Sequence, residues 1–425
     1  MNRYLIRGGK IIDPASGRIK KEDLLIEGRV VVERFTEEKG VKTIEASGLL
    51  VTPGLIDLHV HLREPGREDE ETVESGARAA AAGGFTTICC MPNTDPAIDN
   101  VSVVEHINDQ SRRSMIDVLV IAAITKKREG KSLTEMGELV DAGVVAFSDD
   151  GSPVADSLMM RSAMEYAKTF DRPIVDHAED PSLSAGGVMN EGYFSTILGL
   201  KGIPVAAEEI MIARDIMLAK LTGAKIHIAH VSTAGSVDII KRAKEEGVSV
   251  TCETTPHHLT LTDESLCDYN TDYKVNPPLR SMEDIDRLFE GLKEGTIDAI
   301  ATDHAPHAQH EKEAEIEIAP FGMIGLETAV AVLISAALKR GLKIEDLIPK
   351  LTTGPARIID LEVGTLSVGR VADVTIIDPK AKVKVDSSAF ESKSRNTPFE
   401  GSELTGRIKH VFKDGRQIVN DGSVI

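Results

Sequence analysis

Pro53-Gly54-Leu55-Ile56-Asp57-Leu58-His59-Val60-His61-Leu62-Arg63 is an apolar run that carries two histidines one residue apart and ends on an arginine. Side chains along a strand alternate faces. His59 and His61 are therefore expected on one side with Asp57, and Ile56, Leu58, Val60 and Leu62 on the other. Two imidazoles at the end of one rigid strand can grip a single divalent ion, and histidine is a first-choice ligand for zinc. A lone histidine in such a run is ordinarily a hydrogen-bonded core residue. A pair on one face, followed by Arg63, points to metal instead.

Outward from this stretch, apolar β-prone runs alternate with Ala- and Glu-rich amphipathic stretches. The runs are Leu55–His61, Phe85–Met91, Val118–Ile124, Val144–Ser148, Pro173–His177, Lys225–Val231, Ser249–Thr254 and Asp298–Asp303. Helical patterns over Glu71–Ala82, Ser157–Thr169, Val205–Leu221, Ala234–Glu246 and Glu283–Glu294 separate several of them. Eight βα units predict an α/β fold, a closed TIM-like (β/α)8 barrel over 53–355, with an open doubly wound sheet as the alternative. Residues 1–52 and 356–425 instead read as short β-runs punctuated by turns, among them Tyr4-Leu5-Ile6-Arg7 before Gly8-Gly9 and Val371–Asp378 near the far end. Neither piece has enough strands to bury a face alone, so the two termini are expected to pair into one small β-sheet domain.

The chain has 425 residues and a net charge of −19, with 4% aromatic residues and no Trp. That balance argues against nucleic acid, an anionic membrane or an aromatic-lined carbohydrate surface as partner. An anionic substrate would have to be held by local cations. Cys89, Cys90, Cys252 and Cys267 form no regular metal or disulfide spacing, and no apolar segment approaches membrane-spanning length. These features predict a cytoplasmic protein with reduced thiols acting on a small molecule.

If the barrel is right, polar residues of unusual type should collect at the carboxyl ends of its strands. His59 and His61 end the first run, Asn93 follows the second, Asp149 and Asp150 follow the fourth, and His177, His230 and Asp303 end the fifth, sixth and eighth. Four histidines with carboxylates exceed the three protein ligands of an open mononuclear zinc site, so two ions bridged by a carboxylate fit better. Asp150 is the candidate bridge, with Asp149 its rival. Asp303 can both ligate and accept a proton from the attacking water. His227 is assigned to packing, and His257 and His258 to the loop after strand seven. Asp57 and His304 are expected to hold the ligating rings in place. The stripe Ile210, Ala213, Ile216 and Met217 is expected in the core, and the acidic run Glu311–Glu317 either in solvent or over the site.

Taken together, Pro53–Arg63 and Asp303-His304-Ala305-Pro306-His307 resemble the amidohydrolase superfamily. Within it, Met91-Pro92-Asn93-Thr94, Ser148-Asp149-Asp150-Gly151, Val275-Asn276-Pro277-Pro278-Leu279-Arg280 and Lys393-Ser394-Arg395-Asn396-Thr397-Pro398-Phe399 resemble class I dihydroorotases. The resemblance spans nearly the whole chain. It implies reversible closure of N-carbamoyl-L-aspartate to L-dihydroorotate in de novo pyrimidine synthesis, on a barrel carrying two zinc ions per subunit. It further implies that His59, His61, Asp150, His177, His230 and Asp303 are metal ligands, with Asp303 the catalytic acid/base. Arg63, Asn93 and His307 would receive the substrate carboxylate, Asn276, Phe321 and Gly322 would meet the pyrimidine ring, and His61 would touch the substrate as well as metal. Aspartates stand where many amidohydrolases carry a carboxylated lysine.

A homodimer and a complex with aspartate transcarbamoylase follow as expectations from the same resemblance. Two rivals remain. A dihydropyrimidinase, hydantoinase or allantoinase would not need Arg63, Asn93 and His307 as a carboxylate clamp. An inactive scaffold for aspartate transcarbamoylase would not need ligands, base and clamp together.

Overall fold

The computed structural model describes residues 2–37 and 39–425. In it the eight apolar runs form one parallel sheet in sequential order: Leu55–Val60, Phe85–Cys90, Asp117–Ala122, Ala146–Phe147, Ile174–Asp176, Ile226–Ile228, Val250–Thr254 and Ala299–Ile300. These are called barrel strands one to eight. The barrel closes where Val60 pairs in parallel with His304, and where the His61 N–H donates to the His304 carbonyl at 2.9 Å. Strands four and eight are shorter than their sequence patterns because the chain leaves the ladder to aim polar side chains over the mouth. Arg63, His230 and Asp303 all have positive φ, at 61°, 32° and 49°. Non-glycine residues take that conformation at a cost, and it concentrates where function requires an unusual backbone.

The alternation expected of strand one fails locally. A register irregularity lies between Asp57 and Val60, where the Asp57 carboxylate takes a ladder position, accepting from the His59 and Thr302 amides. Ile56 and Leu58 consequently pack with Cys89, Met91, Ile121, Val175 and Ala229. Val60 and Leu62 join the larger cluster beneath the helices with Val73, Ala77 and Phe85.

The helices follow their sequence signals closely. Val73–Ala82 begins on a Thr72/Ser75 capping box, and Met282–Glu294 begins on Ser281 with Asp284 and stops at Gly295 (φ 83°). Each cap satisfies amides that the first turn cannot. The helix Ala206–Thr222 corrects one expectation. Ile210 and Met217 are 52% and 70% exposed, and the buried face is Ala207, Glu208, Met211, Ile212, Asp215 and Ala219. Two apolar phases compete on this helix. The buried one also carries Glu208, which accepts hydrogen bonds from Ser232 and Ser236.

Both termini enter one nine-stranded sheet. Leu50–Pro53 pairs antiparallel with Val374–Lys384, and Tyr4, Ile6, Ile11, Val51, Val374, Ile376 and Phe412 share one core. Between Val374–Lys384 and Glu403–Lys413 the chain crosses to the barrel mouth. There Ser394 Oγ donates to the Glu70 carbonyl at 2.8 Å and Asn396 Nδ2 to the Ala305 carbonyl at 3.0 Å. Among the described residues no helix is long and apolar enough to cross a membrane.

Candidate active site

The carboxyl ends of strands one, four, five, six and eight bring six donor side chains together. His61 Nε2 lies 3.0 Å from Asp303 Oδ1 and 3.6 Å from Asp150 Oδ2, while His59 Nε2 lies 3.3 Å from Asp150 Oδ1 and 3.5 Å from Asp303 Oδ1. On the other side of Asp150, its Oδ1 is 3.5 Å from His177 Nδ1 and 3.6 Å from His230 Nε2. Donors bound at about 2.0–2.2 Å to one tetrahedral ion stand about 3.3–3.6 Å apart; the distances to Asp150 match that spacing, while His61 Nε2 to Asp303 Oδ1 and His177 Nδ1 to His230 Nε2, at 3.0 and 2.9 Å, are closer. Asp150 belongs to both groups of donors. Asp149 does not compete, because its carboxylate accepts from the Ile124 and Thr125 amides at 2.8 and 3.0 Å.

The donors fit a cation on chemical grounds too. His59 Nε2 and Asp150 Oδ1 are buried and have no hydrogen-bond partner, which is costly unless an ion completes them. Burial alone would raise Asp150, yet the rings of His59, His177 and His230 hold it well below the usual carboxylate range. Burial likewise opposes a charge on His177, but Asp150 and Glu179 lift it to about 10. Without an ion, protons supply the positive charge that these carboxylates call for.

The supports of the rings differ from those expected. His59 Nδ1 faces Glu253 Oε1 at 3.2 Å, and the other oxygen of Glu253 lies 3.3 Å from His227 Nε2. His227 is therefore part of a buried chain leading to His59, and is not simply packing; its Nδ1 ends that chain 2.9 Å from Thr251 Oγ1. His61 Nδ1 lies 2.7 Å from Asn93 Oδ1. Each contact fixes which nitrogen is left bare for metal. Asp57 and His304 do not play this part. Asp57 binds backbone amides, and burial pushes it up to about 7; His304 Nε2 faces Glu71 at 3.2 Å. His258 Nε2 lies 2.9 Å from the Pro277 carbonyl, and His257 is buried beside it. Glu253 was detectable in sequence as a carboxylate inside an apolar strand, Ser249-Val250-Thr251-Cys252-Glu253-Thr254.

A cavity of about 340 Å³ opens over the donors, lined among others by His61, Arg63, Asn93, Asn276, His307, Phe321 and Gly322. All the residues expected to meet substrate thus share one space with five of the six donors, His61, Asp150, His177, His230 and Asp303. Arg63 Nε donates to the Pro306 carbonyl at 3.1 Å and pairs with Glu70 at 3.1 Å, its Nη2 lies 3.4 Å from His307 Nε2, and the guanidinium lines the cavity. Asn276 Nδ2 is 3.3 Å from His177 Nε2, and its Oδ1 is buried without a partner. Gly322 has φ 136°, and a Cβ there would meet Ala305 Cβ at 2.7 Å and His307 Nε2 at 3.0 Å. Of the acidic run, Lys312 and Ile316 are buried, Glu311 pairs with Arg67 at 2.8 Å, and Glu313, Glu315 and Glu317 face solvent. The run is thus largely solvated, and it is the residues after it, Pro320, Phe321 and Gly322, that line the cavity.

A closed parallel barrel with this donor set at its carboxyl end defines a metal-dependent amidohydrolase of the kind that acts on cyclic amides. Comparison with known proteins narrows the class. Residues 48–236 match a family model described as dihydro-orotase-like. The chain is 50% identical to a dihydroorotase of Pelotomaculum thermopropionicum, over 99% of each chain. It is 49% identical to that of Citrifermentans bemidjiense, over 97% of this chain and 99% of the relative. Among solved structures, an L-hydantoinase (dihydropyrimidinase) from Arthrobacter aurescens superposes with a TM-score of 0.88 at 28% identity, covering 100% of this chain and 98% of that one. The chain belongs to the dihydroorotase family.

Proposed function

We propose that the protein catalyses the reversible interconversion of N-carbamoyl-L-aspartate and L-dihydroorotate, with two zinc ions held by His59, His61, Asp150, His177, His230 and Asp303. The observation that carries this reading is the joining, in one cavity of about 340 Å³, of a two-cage donor set with Arg63, Asn93 and His307. Bound divalent ions would supply acidified water at neutral pH and polarisation of the scissile carbonyl. The rest of the chemistry falls to the chain.

In the ring-opening direction Asp303 accepts a proton from the water that adds to the ring carbonyl carbon. The carbon–nitrogen bond breaks, and Asp303 returns that proton to the departing nitrogen. The new carboxylic acid then ionises. Closure runs the steps backward and consumes one proton, so lower pH favours the ring. Arg63 offers a paired hydrogen-bond fork to the carboxylate that does not react. Asn93, anchored through Oδ1 to His61, lines the same cavity and has an amide N–H to offer that carboxylate. The unpartnered Asn276 Oδ1 suits a ring N–H. A hydantoinase reading accounts for the barrel but gives no use to the buried guanidinium, since its substrates lack the carboxylate.

The test is a side-by-side assay of dihydroorotate, dihydrouracil, hydantoin and allantoin, with metal content measured on the same sample. Turnover of dihydroorotate at least about a hundredfold above the others, a margin of about 2.8 kcal/mol in transition-state binding, is expected. Equal or better turnover of hydantoin or dihydrouracil overturns the assignment.

A further inference from the structure

The segment 313–322 that bears Phe321 and Gly322 has little regular structure, so few of its carbonyls can be satisfied by a backbone ladder. Four consecutive carbonyls are instead met by side chains. Lys274 Nζ donates to Ala319 O at 2.6 Å, and also to Ile316 O at 2.5 Å. Lys312 Nζ donates to Pro320 O and Gly322 O, each at 3.0 Å. His307 Nε2 lies 2.8 Å from Phe321 O, and Asn396 Nδ2 reaches Gly322 O at 3.2 Å. The Gly322 amide closes the ring by donating to the Lys274 carbonyl at 2.8 Å, and the Lys274 ammonium sits 4.5 Å from the centre of the Phe321 ring.

Both lysines are buried, at 2% and 7% exposure, and among the described residues neither has a carboxylate within ion-pair distance. A buried ammonium without a counter-ion is expensive unless oxygens replace its water. Here the loop's carbonyls do so, and an ammonium's three donors suit several acceptors at once. Burial lowers both lysines to about 8, while Glu317 pulls Lys274 and Asp272 pulls Lys312 the other way. Both therefore keep their protons at neutral pH.

We infer that Lys274 and Lys312 are positioning residues for the reaction: their ammonium groups hold 313–322 folded over the cavity, so that Phe321 and Gly322 face the ring of the substrate. The loop is thereby built before substrate arrives. The inference rests on the proposed substrate reading for its consequence, but not for the clamp itself. The two are tested separately.

The experiment compares Lys312→Met and Lys274→Met with the unsubstituted protein by amide hydrogen exchange, metal content and dihydroorotate kinetics. Exchange across 313–322 should quicken about tenfold or more while the barrel strands keep their protection. KM should rise about tenfold with kcat within about threefold and metal content unchanged. If either methionine variant fails to fold, Lys312→Gln, which keeps an N–H donor without the charge, should give intermediate values of both. Unchanged exchange overturns the clamp. Faster exchange with unchanged KM overturns the positioning role. Failure of the substrate reading would show differently, as no turnover of dihydroorotate by the unsubstituted protein, and the exchange result would still decide the clamp.

Discussion

Asp303 combines two demands that pull on one carboxylate. Burial would raise its pKa, yet His59 and His61 hold it far below the usual range, so it is ionised and ready to accept a proton. Asp303→Ala is expected to lower kcat about 10²–10⁴-fold, with a circular dichroism spectrum that shows the barrel still folded. Residual activity within tenfold would assign the proton transfer elsewhere. Glu253 is a different kind of residue, since it touches His59 and His227 and lines no part of the cavity. Both histidines hold its carboxylate down at about 2 against the pull of burial. Glu253→Gln keeps the shape but removes the charge that orients two rings. Its metal affinity, measured by competition with a chromophoric chelator, should fall about 10–100-fold. An unchanged affinity would mean that strand one alone orients His59.

At the scale of elements, the segment 390–399 is the most informative. Glu327 accepts from the Glu391 and Ser392 amides at 3.0 and 3.1 Å, tying this segment to the barrel. Burial pushes Glu327 up from 4.5 to about 7. The folded chain therefore keeps a proton that the unfolded chain has already lost. The stability this confers is present below about pH 4.5 and is lost as pH rises through about 7. Glu327→Gln should thus melt higher than the parent at pH 8 and alike at pH 4.5, as read by calorimetry. A difference that does not vary with pH would remove the titration.

Strand one, the eight βα units and the gathering of histidines at the strand ends were legible because each is a local pattern, with period two along strands and polar residues at strand ends. The partners of Glu253, Lys274 and Asn396 were not. Each acts on a residue distant in sequence or on a backbone carbonyl, and no spacing within a short window encodes that. The exposed stripe of Ala206–Thr222 failed for another reason. Two apolar phases coexist there, and tertiary contacts, among them Ser232 and Ser236 on Glu208, decide between them.

For the whole molecule, metal and fold are linked. Six donors come from five strands that are far apart in the chain, and an ion that binds only when they meet stabilises the folded state by RT ln(1 + [L]/Kd), about 4.1 kcal/mol at a thousandfold excess over Kd. Removing metal with a chelator should lower the melting temperature, and added zinc should restore it. A melting temperature indifferent to chelation would show that the barrel is complete without its ions. The coupling is reinforced by the buried donors left unpartnered among the described residues, His59 Nε2 and Asp150 Oδ1.

Asn396 reaches Ala305 and Gly322 from a segment made after every barrel strand. During synthesis the ribosome will therefore have finished the whole catalytic scaffold before the piece that braces its rim emerges. A chain that has not yet grown past residue 396 already holds every barrel strand and all the gathered histidines, but it lacks this brace between Ala305 and Gly322 on the rim of the cavity.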